Sequence, residues 1–316
     1  MEYRSLGASG LQVSVVGLGC NNFGMRIDKE KSAEVVARAL ELGINFFDTA
    51  DIYGGTLSEQ FLGDALGERR QHVVVATKFG GPTGEGPGNR GGSRRYIMQA
   101  AEASLRRLNT DYIDLYQFHF PDPNTPIEES LRAMDDLVRS GKVRYIGSSN
   151  RSAWQVVEAH WVAKSEHLSS FITAQNEYSL IDRRAERELV PACREYGIGI
   201  LPYFPLASGL LTGKYSRGQP PAKDTRIAAW GPRGEELLTD RNFDIVEGLQ
   251  KFAAERDKKL LDVAIGWLAG QDVVSSVIAG ATKPEQVEQN AAAADFRLSP
   301  EELAEIDKIT SGKGSA

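Results

Sequence analysis

The chain alternates between short apolar segments and longer amphipathic segments along most of its length. Eight short segments are rich in β-branched and aromatic residues and are apolar on both faces, as expected of buried parallel strands. They are residues 15–19, 45–48, 73–77, 113–118, 143–147, 171–175, 197–202 and 276–280. Segments between them place apolar residues at helical spacing, for example in residues 95–108. The pattern therefore predicts repeated strand–helix units.

Eight such units favour a (β/α)8 TIM barrel, and we expect residues 1–316 to form a single domain. A doubly wound sheet is the alternative, but it would normally carry a glycine-rich nucleotide turn, which residues 17–22 do not match. Residues 1–14 predict an N-terminal β-hairpin that plugs the bottom of the barrel. Residues 205–241, after the seventh strand, are too long for an ordinary connection and predict an active-site loop.

Composition narrows the possible partners. The net charge of −6 gives no reason to expect nucleic acid or an anionic membrane surface. No apolar run approaches the ~20 residues that a membrane helix needs, and the N-terminus has no signal-peptide core. Two cysteines and four histidines predict neither a disulfide framework nor a metal site. We therefore expect a cytoplasmic protein.

Polar side chains stand where three neighbouring predicted strands end. Asp48 ends the second strand, Lys78 follows the third and His119 follows the fourth. Tyr53 lies in the loop just after Asp48. Each has an ordinary explanation when taken singly, but the carboxyl ends of barrel strands meet at one face, where active sites lie. Asp51, in the same loop, is more simply explained as a loop or capping residue.

These four side chains suit acid catalysis. A tyrosine hydroxyl has an ordinary pKa of about 10, and a nearby ammonium lowers that pKa. Asp48 would keep Lys78 charged, and His119 would donate to a substrate carbonyl oxygen. We therefore expect Tyr53 to deliver a proton to that oxygen. A Schiff-base lyase acting through Lys78 is the alternative, although a carboxylate partner favours a charged lysine.

Several motifs occur in order along nearly the whole chain. They are VGLGCN (16–21), DTADIYG (48–54), ATKFG (76–80), YQFHFPD (116–122), IGSSN (146–150), PLASGLLTGKY (205–215) and GATKPEQVEQN (280–290). Together they resemble the aldo-keto reductase superfamily, and most closely its bacterial branch related to potassium-channel β subunits. The resemblance implies a catalytic tetrad of Asp48, Tyr53, Lys78 and His119. It also implies reduction of aldehydes and ketones to alcohols, with hydride from a nicotinamide cofactor bound across the barrel mouth.

The same resemblance implies the cofactor-binding residues. Ser149, Asn150 and Gln175 match the contacts to the carboxamide, and Tyr203 matches the aromatic residue that stacks on the nicotinamide. Residues of the pyrophosphate loop and the adenosine end are Leu206, Ser208, Gly209, Leu210, Thr212, Lys214, Arg226, Gly280, Thr282, Lys283, Gln286, Gln289 and Asn290.

Two positions depart from the family pattern at the adenosine end. Many relatives carry an arginine where Gln286 stands and an acid where Gln289 stands. The missing arginine weakens the case for a 2′-phosphate, but Lys283 and Arg226 could supply positive charge instead. NADP(H) is therefore favoured, and NAD(H) stays open.

The resemblance also implies a small-molecule carbonyl substrate and leaves a homo-oligomer open. Phe23 and Phe120 are expected to line the substrate pocket, and Trp230 to act as a lid. A cofactor-binding regulatory subunit with little turnover is the alternative, because channel β subunits share the fold and the tetrad. We expect an enzyme instead, since the sequence shows no partner-docking extension.

Overall fold

A parallel β-barrel forms the core of the structure, a computed structural model that describes residues 1–86, 88–223 and 225–311. The strands are β1 (Tyr3–Ser5), β2 (Gln12–Ser14), β3 (Val16–Gly19), β4 (Phe46–Asp48), β5 (Val74–Phe79), β6 (Ile113–Phe118), β7 (Val143–Ser149), β8 (Phe171–Glu177), β9 (Gly199–Tyr203) and β10 (Val277–Gly280). Strands β3 to β10 form one sheet in the order β10-β3-β4-β5-β6-β7-β8-β9. Backbone hydrogen bonds join Ile200 of β9 to Val273 and Ser275, just before β10. The sheet is thus a nearly closed barrel, and the predicted TIM barrel is confirmed.

Helices lie between successive barrel strands and follow the last one. They are α1 (Lys29–Glu41), α2 (Leu57–Leu66), α3 (Arg94–Leu108), α4 (Ile127–Arg139), α5 (Ala153–Ser165), α6 (Leu189–Glu195), α7 (Arg226–Trp230), α8 (Pro232–Glu235), α9 (Asp240–Ala254), α10 (Leu260–Ala269), α11 (Pro284–Ala293) and α12 (Pro300–Thr310). Among the described residues, no helix is both long and apolar enough to cross a membrane.

The hairpin of β1 and β2 closes the amino-terminal end of the barrel. Leu6 and Val13 are fully buried and belong to the same apolar cluster as the inward-facing residues of the barrel strands. Between the two strands, the Gly7 N–H donates to Ser275 Oγ and the Ala8 N–H donates to the carbonyl of Gly197. Gly7 has a φ of +58°, which a residue with a side chain rarely adopts. The predicted plug is therefore confirmed.

The connection after β9, the seventh barrel strand, folds over the opposite end of the barrel. It contains a 3₁₀ turn (Ala207–Thr212), then α7 and α8. One residue of the predicted loop, 224, lies outside the described residues. The connection contributes residues to the cleft described below, as the length of this segment led us to expect.

Candidate active site

Asp48, Tyr53, Lys78 and His119 lie together at the carboxyl end of the barrel. Asp48 is the last residue of β4, and Lys78 lies near the end of the neighbouring β5. His119 follows β6, where its backbone N–H donates to the carbonyl of Phe79 on β5. Adjacent parallel strands therefore bring the three side chains together, and the short loop after β4 returns Tyr53 to the same place.

Lys78 connects the other polar groups of this cluster. Its side chain is fully buried, and its Nζ donates to Asp48 Oδ2 at 2.7 Å and to the carbonyl of Thr49 at 2.8 Å. The third donor lies 3.3 Å from Tyr53 Oη. All three ammonium hydrogens thus have acceptors, so the lysine is held in one orientation with one donor on the tyrosine hydroxyl.

Both carboxylate oxygens of Asp48 accept hydrogen bonds. Its second oxygen, Oδ1, accepts from Gln117 Nε2 at 3.1 Å and from Gln175 Nε2 at 2.8 Å. Gln117 was missed by the sequence interpretation, although it lies only two residues before His119. On a strand that spacing places both side chains on the same face, so the position of His119 could have identified Gln117. With three donors, both oxygens of the buried carboxylate are held in place, and with them Lys78.

The charges of the cluster follow from burial and pairing. Burial opposes the charge on Lys78, but Asp48 and Tyr53 together hold its pKa above the ordinary value. Burial raises the pKa of Tyr53, and the opposing effect of Lys78 is smaller. We expected the ammonium to lower the pKa of Tyr53, but the net shift is upward, so that prediction was wrong. Tyr53 is protonated at neutral pH, as a proton donor must be.

His119 is a neutral imidazole at the wall of the cleft. Burial, with a smaller contribution from Lys78, lowers its pKa to about 2. Its ring meets the Tyr53 ring edge to face at 5.7 Å and stacks on the exposed Phe120 ring at 4.1 Å. Within the described part of the chain, Nδ1 is buried without a hydrogen-bond partner. Nε2 is then the nitrogen left to meet a ligand.

A cleft of about 990 Å3 opens directly above this cluster, and Asp48, Tyr53 and His119 line it. Lys78 lies behind them. Further predicted site residues lining the cleft are Phe120, Ser149, Asn150, Gln175, Tyr203, Leu206, Ser208, Gly209, Thr212, Lys214, Arg226, Gly280, Thr282, Lys283, Gln286, Gln289 and Asn290. The cleft thus brings together residues from every part of the barrel mouth.

One known protein family matches nearly the whole chain. Residues 15–311 match the sequence profile described as the aldo/keto reductase family. The chain belongs to the aldo/keto reductase family. The predicted resemblance is therefore confirmed.

Relatives of this aldo/keto reductase carry names of two kinds. A protein of Oryza sativa subsp. japonica named "Probable voltage-gated potassium channel subunit beta" is 40% identical over 323 residues, which span 99% of this chain and 98% of the relative. "Uncharacterized oxidoreductase YrpG" of Bacillus subtilis (strain 168) is 37% identical over 325 residues, 99% of this chain and 97% of the relative. "L-glyceraldehyde 3-phosphate reductase" of Escherichia coli (strain K12) is 33% identical over 321 residues, 98% of this chain and 92% of the relative.

The 3₁₀ turn of this aldo/keto reductase is suited to an anionic group. Ser208 and Gly209 have φ angles of +59° and +94°, and both line the cleft together with Lys214. A Cβ on Gly209 would lie 2.7 Å from Lys214 Nζ, so only glycine lets the ammonium approach the backbone here. The turn and Lys214 therefore fit the pyrophosphate of a dinucleotide cofactor.

The deeper part of the cleft is fixed by amide groups. Asn150, with a φ of +58°, donates through Nδ2 to the carbonyl of His119 and to Ser149 Oγ. Its Oδ1 accepts from the Tyr203 hydroxyl at 2.8 Å. Because the Tyr203 hydroxyl is tethered and the residue lines the cleft, its ring can face a flat ligand. Gln175 uses Nε2 on Asp48, which leaves its Oε1 for a ligand amide.

The adenosine end of the cleft lies at the start of α11. The carbonyl oxygen of the Gln286 side chain accepts from the Thr282 backbone N–H and from Thr282 Oγ1. Lys283 is the N-cap residue of this helix and is exposed. The helix N-terminus and the ammonium together favour a phosphate at this position.

Besides Lys78, three predicted residues do not line the cleft. Phe23 and Leu210 are fully buried in the hydrophobic core, so Phe23 is not a substrate-pocket residue and the Leu210 side chain does not reach a cofactor. Trp230 packs on Phe204 at 5.3 Å, one layer behind the wall. Its predicted lid position is therefore not supported.

Residues after the first barrel strand occupy the place expected for Phe23. Asn21 and Asn22 line the cleft and accept from the Arg226 guanidinium, at 3.5 Å and 2.9 Å respectively. Arg26 and Ile52 also line it. The two asparagines directly follow a strand, so the strand-end rule that found Asp48 could have found them. Among the described residues, no group of three His, Cys, Asp or Glu side chains could hold a metal ion.

Proposed function

We propose that this aldo/keto reductase reduces aldehydes and ketones to alcohols, with Tyr53 as the general acid. The observation that carries the proposal is the position of Lys78 Nζ, 2.7 Å from Asp48 Oδ2 and 3.3 Å from Tyr53 Oη at the wall of the cleft. A buried ammonium on a tyrosine hydroxyl stabilises the phenolate that remains after proton transfer.

The side chains divide the work at the substrate oxygen. Neutral His119, through Nε2, donates to the carbonyl oxygen and orients it toward Tyr53. Tyr53 then transfers its proton to that oxygen, and Lys78 compensates the negative charge left on Oη. Asp48 keeps Lys78 oriented throughout, because Gln117 and Gln175 hold its other oxygen. When bound, the nicotinamide cofactor supplies the hydride that the carbonyl carbon receives.

The cofactor would be held along the cleft by residues already described. Ser149, Asn150 and Gln175 would bind the carboxamide, and Tyr203 would face the nicotinamide ring. The 3₁₀ turn with Lys214 would bind the pyrophosphate. Lys283, at the N-terminus of α11, would contact the 2′-phosphate and favours NADP(H) over NAD(H). We also retain the predictions of one domain over residues 1–316 and of a cytoplasmic protein.

The test of this function is loss of nicotinamide absorbance with a reactive aromatic aldehyde, with NADPH and NADH in parallel. We expect turnover by the wild type and a decrease in kcat of about 10²- to 10⁴-fold in Tyr53→Phe, the usual contribution of a general acid. Cofactor binding, followed by protein fluorescence, should be unchanged in the variant. Equal turnover in Tyr53→Phe would show that another group donates the proton.

Lys283→Ala tests the cofactor preference in the same assay. We expect KM for NADPH to rise about 10-fold and KM for NADH to change little, because only the former carries the 2′-phosphate. Lys259→Ala, at another lysine lining the cleft, is the control. An equal rise in KM for NADPH and NADH would mean that Lys283 binds a phosphate that both cofactors carry.

A cofactor-binding regulatory subunit is the second candidate function, favoured by relatives that are named as channel subunits. It predicts tight NADPH binding with negligible turnover across a panel of aldehydes and ketones. Turnover that is lost in Tyr53→Phe would decide for the enzyme.

A further inference from the structure

A second acid, Asp51, lies three residues after Asp48 and is also fully buried. Its backbone N–H donates to the carbonyl of Lys78, and Tyr53 follows two residues later. Oδ2 lies 3.2 Å from the Tyr96 hydroxyl on α3, whereas Oδ1 has no partner among the residues that the structure describes. The mechanism above does not use this carboxyl group.

The charges that face Asp51 leave it without a cation of its own. Glu59, on α2, is fully buried and accepts from Thr77 Oγ1 and, at 2.6 Å, from Arg107 Nε. Two acids therefore face one guanidinium, which Glu59 binds directly. The hydroxyls of Tyr96 on α3 and Tyr116 on β6 complete the titratable groups around Asp51.

Protonation of Asp51 follows from this environment. Burial raises the pKa of Asp51 to about 7, and the Glu59 carboxylate contributes to the rise. A buried carboxyl with one unpartnered oxygen is also less costly as a neutral acid than as an anion. The group is therefore able to change its charge close to neutral pH.

The Tyr96 hydroxyl stands between two acceptors, and Thr83 Oγ1 lies 3.5 Å from it, at the limit of hydrogen-bond distance. It is 3.2 Å from Asp51 Oδ2 and 3.0 Å from the carbonyl oxygen of Gly81. A tyrosine hydroxyl has one proton to donate. Both contacts are hydrogen bonds only if Asp51 is protonated and donates to Tyr96, which then donates to Gly81. An ionised Asp51 competes with Gly81 for the single proton.

Gly81 belongs to the glycine-rich segment 80–92, which borders the active site and of which residue 87 lies outside the described residues. Its backbone packs against Ile52, and a Cβ on Gly81 would lie 2.8 Å from Ile52 Cγ2. Ile52 precedes Tyr53 and lines the catalytic cleft. Gly81 also lines a second cavity of about 910 Å3, and Phe120 lies on the walls of both cavities. The segment is thus a wall between the Tyr53 loop and an adjoining space for substrate.

We propose that Asp51 and Tyr96 are a positioning pair that holds the segment 80–92 against the loop carrying Tyr53. In acid, the chain of hydrogen bonds from Asp51 through Tyr96 to Gly81 is complete. Above neutral pH the carboxylate accepts the hydrogen bond of the Tyr96 hydroxyl, which keeps its proton, and the Gly81 carbonyl loses its donor. The wall of the second cavity then loosens, so substrates long enough to reach it bind less well. Only this effect on substrates rests on the proposed function.

Hydrogen exchange of the segment 80–92 tests the proposal without any turnover. The Thr83 and Gly91 amides are hydrogen-bonded within this segment and report its opening. Exchange in wild type is compared with Asp51→Asn at about pH 6 and about pH 8.5, so that the intrinsic effect of pH cancels. Asparagine keeps an N–H donor for Tyr96 and does not titrate.

We expect equal protection of the segment in the two proteins at acid pH. At alkaline pH, exchange in wild type should become about fivefold faster than in Asp51→Asn, as expected for loss of one hydrogen bond. Tyr96→Phe should exchange fast at both pH values. Tyr178→Phe is the matched control, because it also removes a tyrosine hydroxyl that donates to a carboxylate, Glu186, away from this segment.

A wild-type to Asp51→Asn ratio that does not change with pH would overturn the proposal, as would normal protection in Tyr96→Phe at acid pH. In steady-state assays, KM for long aldehydes should rise with pH in wild type but not in Asp51→Asn, with kcat for short aldehydes unaffected by the substitution. If no variant turns over any carbonyl but the exchange pattern is found, the proposed function fails and the positioning pair stands.

Discussion

Two buried acids lie three residues apart, one at the end of β4 and one in the loop after it, and their surroundings are opposite. Asp48 has a lysine on one oxygen and two glutamine amides on the other. Asp51 has one tyrosine hydroxyl, one unpartnered oxygen and a second carboxylate nearby. The first environment stabilises an anion and the second disfavours one.

The comparison shows that two acids close together in the sequence can differ in how firmly their charge is fixed. The Asp48 cluster must keep its charge fixed, because Lys78 is useful to Tyr53 only while it is held as an ammonium. The Asp51 cluster is short of positive charge, so its proton occupancy responds to pH. Charge fixed in one place and variable in the other is what separates a catalytic ion pair from a positioning group.

Removal of the lysine should break the first cluster with the largest effect on stability. We expect Lys78→Met to lower the free energy of unfolding by about 3 to 5 kcal/mol, because Asp48 would remain buried without its cation. Chemical denaturation at neutral pH measures this. Activity should be lost in the same variant.

Lys29→Met is the matched control for that experiment. Lys29 forms an ion pair with Asp64 at the same 2.7 Å distance, but both side chains are about half exposed. We expect little change in the free energy of unfolding, as is usual for surface pairs. Equal effects of the two substitutions would mean that the buried pair is not what stabilises the barrel mouth.

Replacing Asp51 by asparagine should have the opposite effect and stabilise the folded protein at alkaline pH. Asp51 has a raised pKa in the folded protein, so between about pH 4 and pH 7 the folded state binds a proton that the unfolded state has lost. Stability from this group is therefore full in acid and falls as pH rises to about 7. Asp51→Asn lacks this fall, and at pH 8 we expect it to be more stable than wild type by about 2 to 4 kcal/mol.

Denaturation curves of both proteins at a series of pH values check this sign. The difference between them should be small near pH 4, grow toward pH 7 and stay level above it. Asp135→Asn is the control, because Asp135 is a buried acid whose hydrogen bonds from Ser169 and Arg139 outweigh burial and lower its pKa. That substitution should destabilise the protein. If Asp51→Asn were less stable than wild type at pH 8, the negative charge of Asp51 would not be unfavourable in the folded protein, and this prediction would be wrong.

Much of the barrel could be predicted because parallel strands buried on both faces leave uninterrupted apolar runs in the sequence. The convergence of Asp48, Lys78 and His119 followed from the same pattern, since the carboxyl ends of the strands meet at one face. Tyr53 was found because its loop is short. These predictions used only local spacing and the geometry of the fold.

Asp51 and Phe23 were misinterpreted because their surroundings depend on contacts between distant parts of the chain. Asp51 looked like a loop residue because its partner Tyr96 is 45 positions away and its neighbour Glu59 belongs to the next helix. Phe23 was placed in the substrate pocket, but the turn after β3 directs it into the core and leaves Asn22 at the cleft. Burial and pairing of this kind do not appear in a local pattern.

The smallest predicted effect concerns the two charged neighbours of Asp51, which are Glu59 and Arg107. Glu59→Gln removes the second negative charge and should lower the pKa of Asp51 by about one unit, whereas Arg107→Met removes the cation and should raise it by a similar amount. The pH at which exchange of the segment 80–92 accelerates should move in these opposite directions. Glu186→Gln, away from Asp51, should leave it unchanged. Shifts of the same sign in both variants would mean that packing, and not charge, sets the behaviour of Asp51.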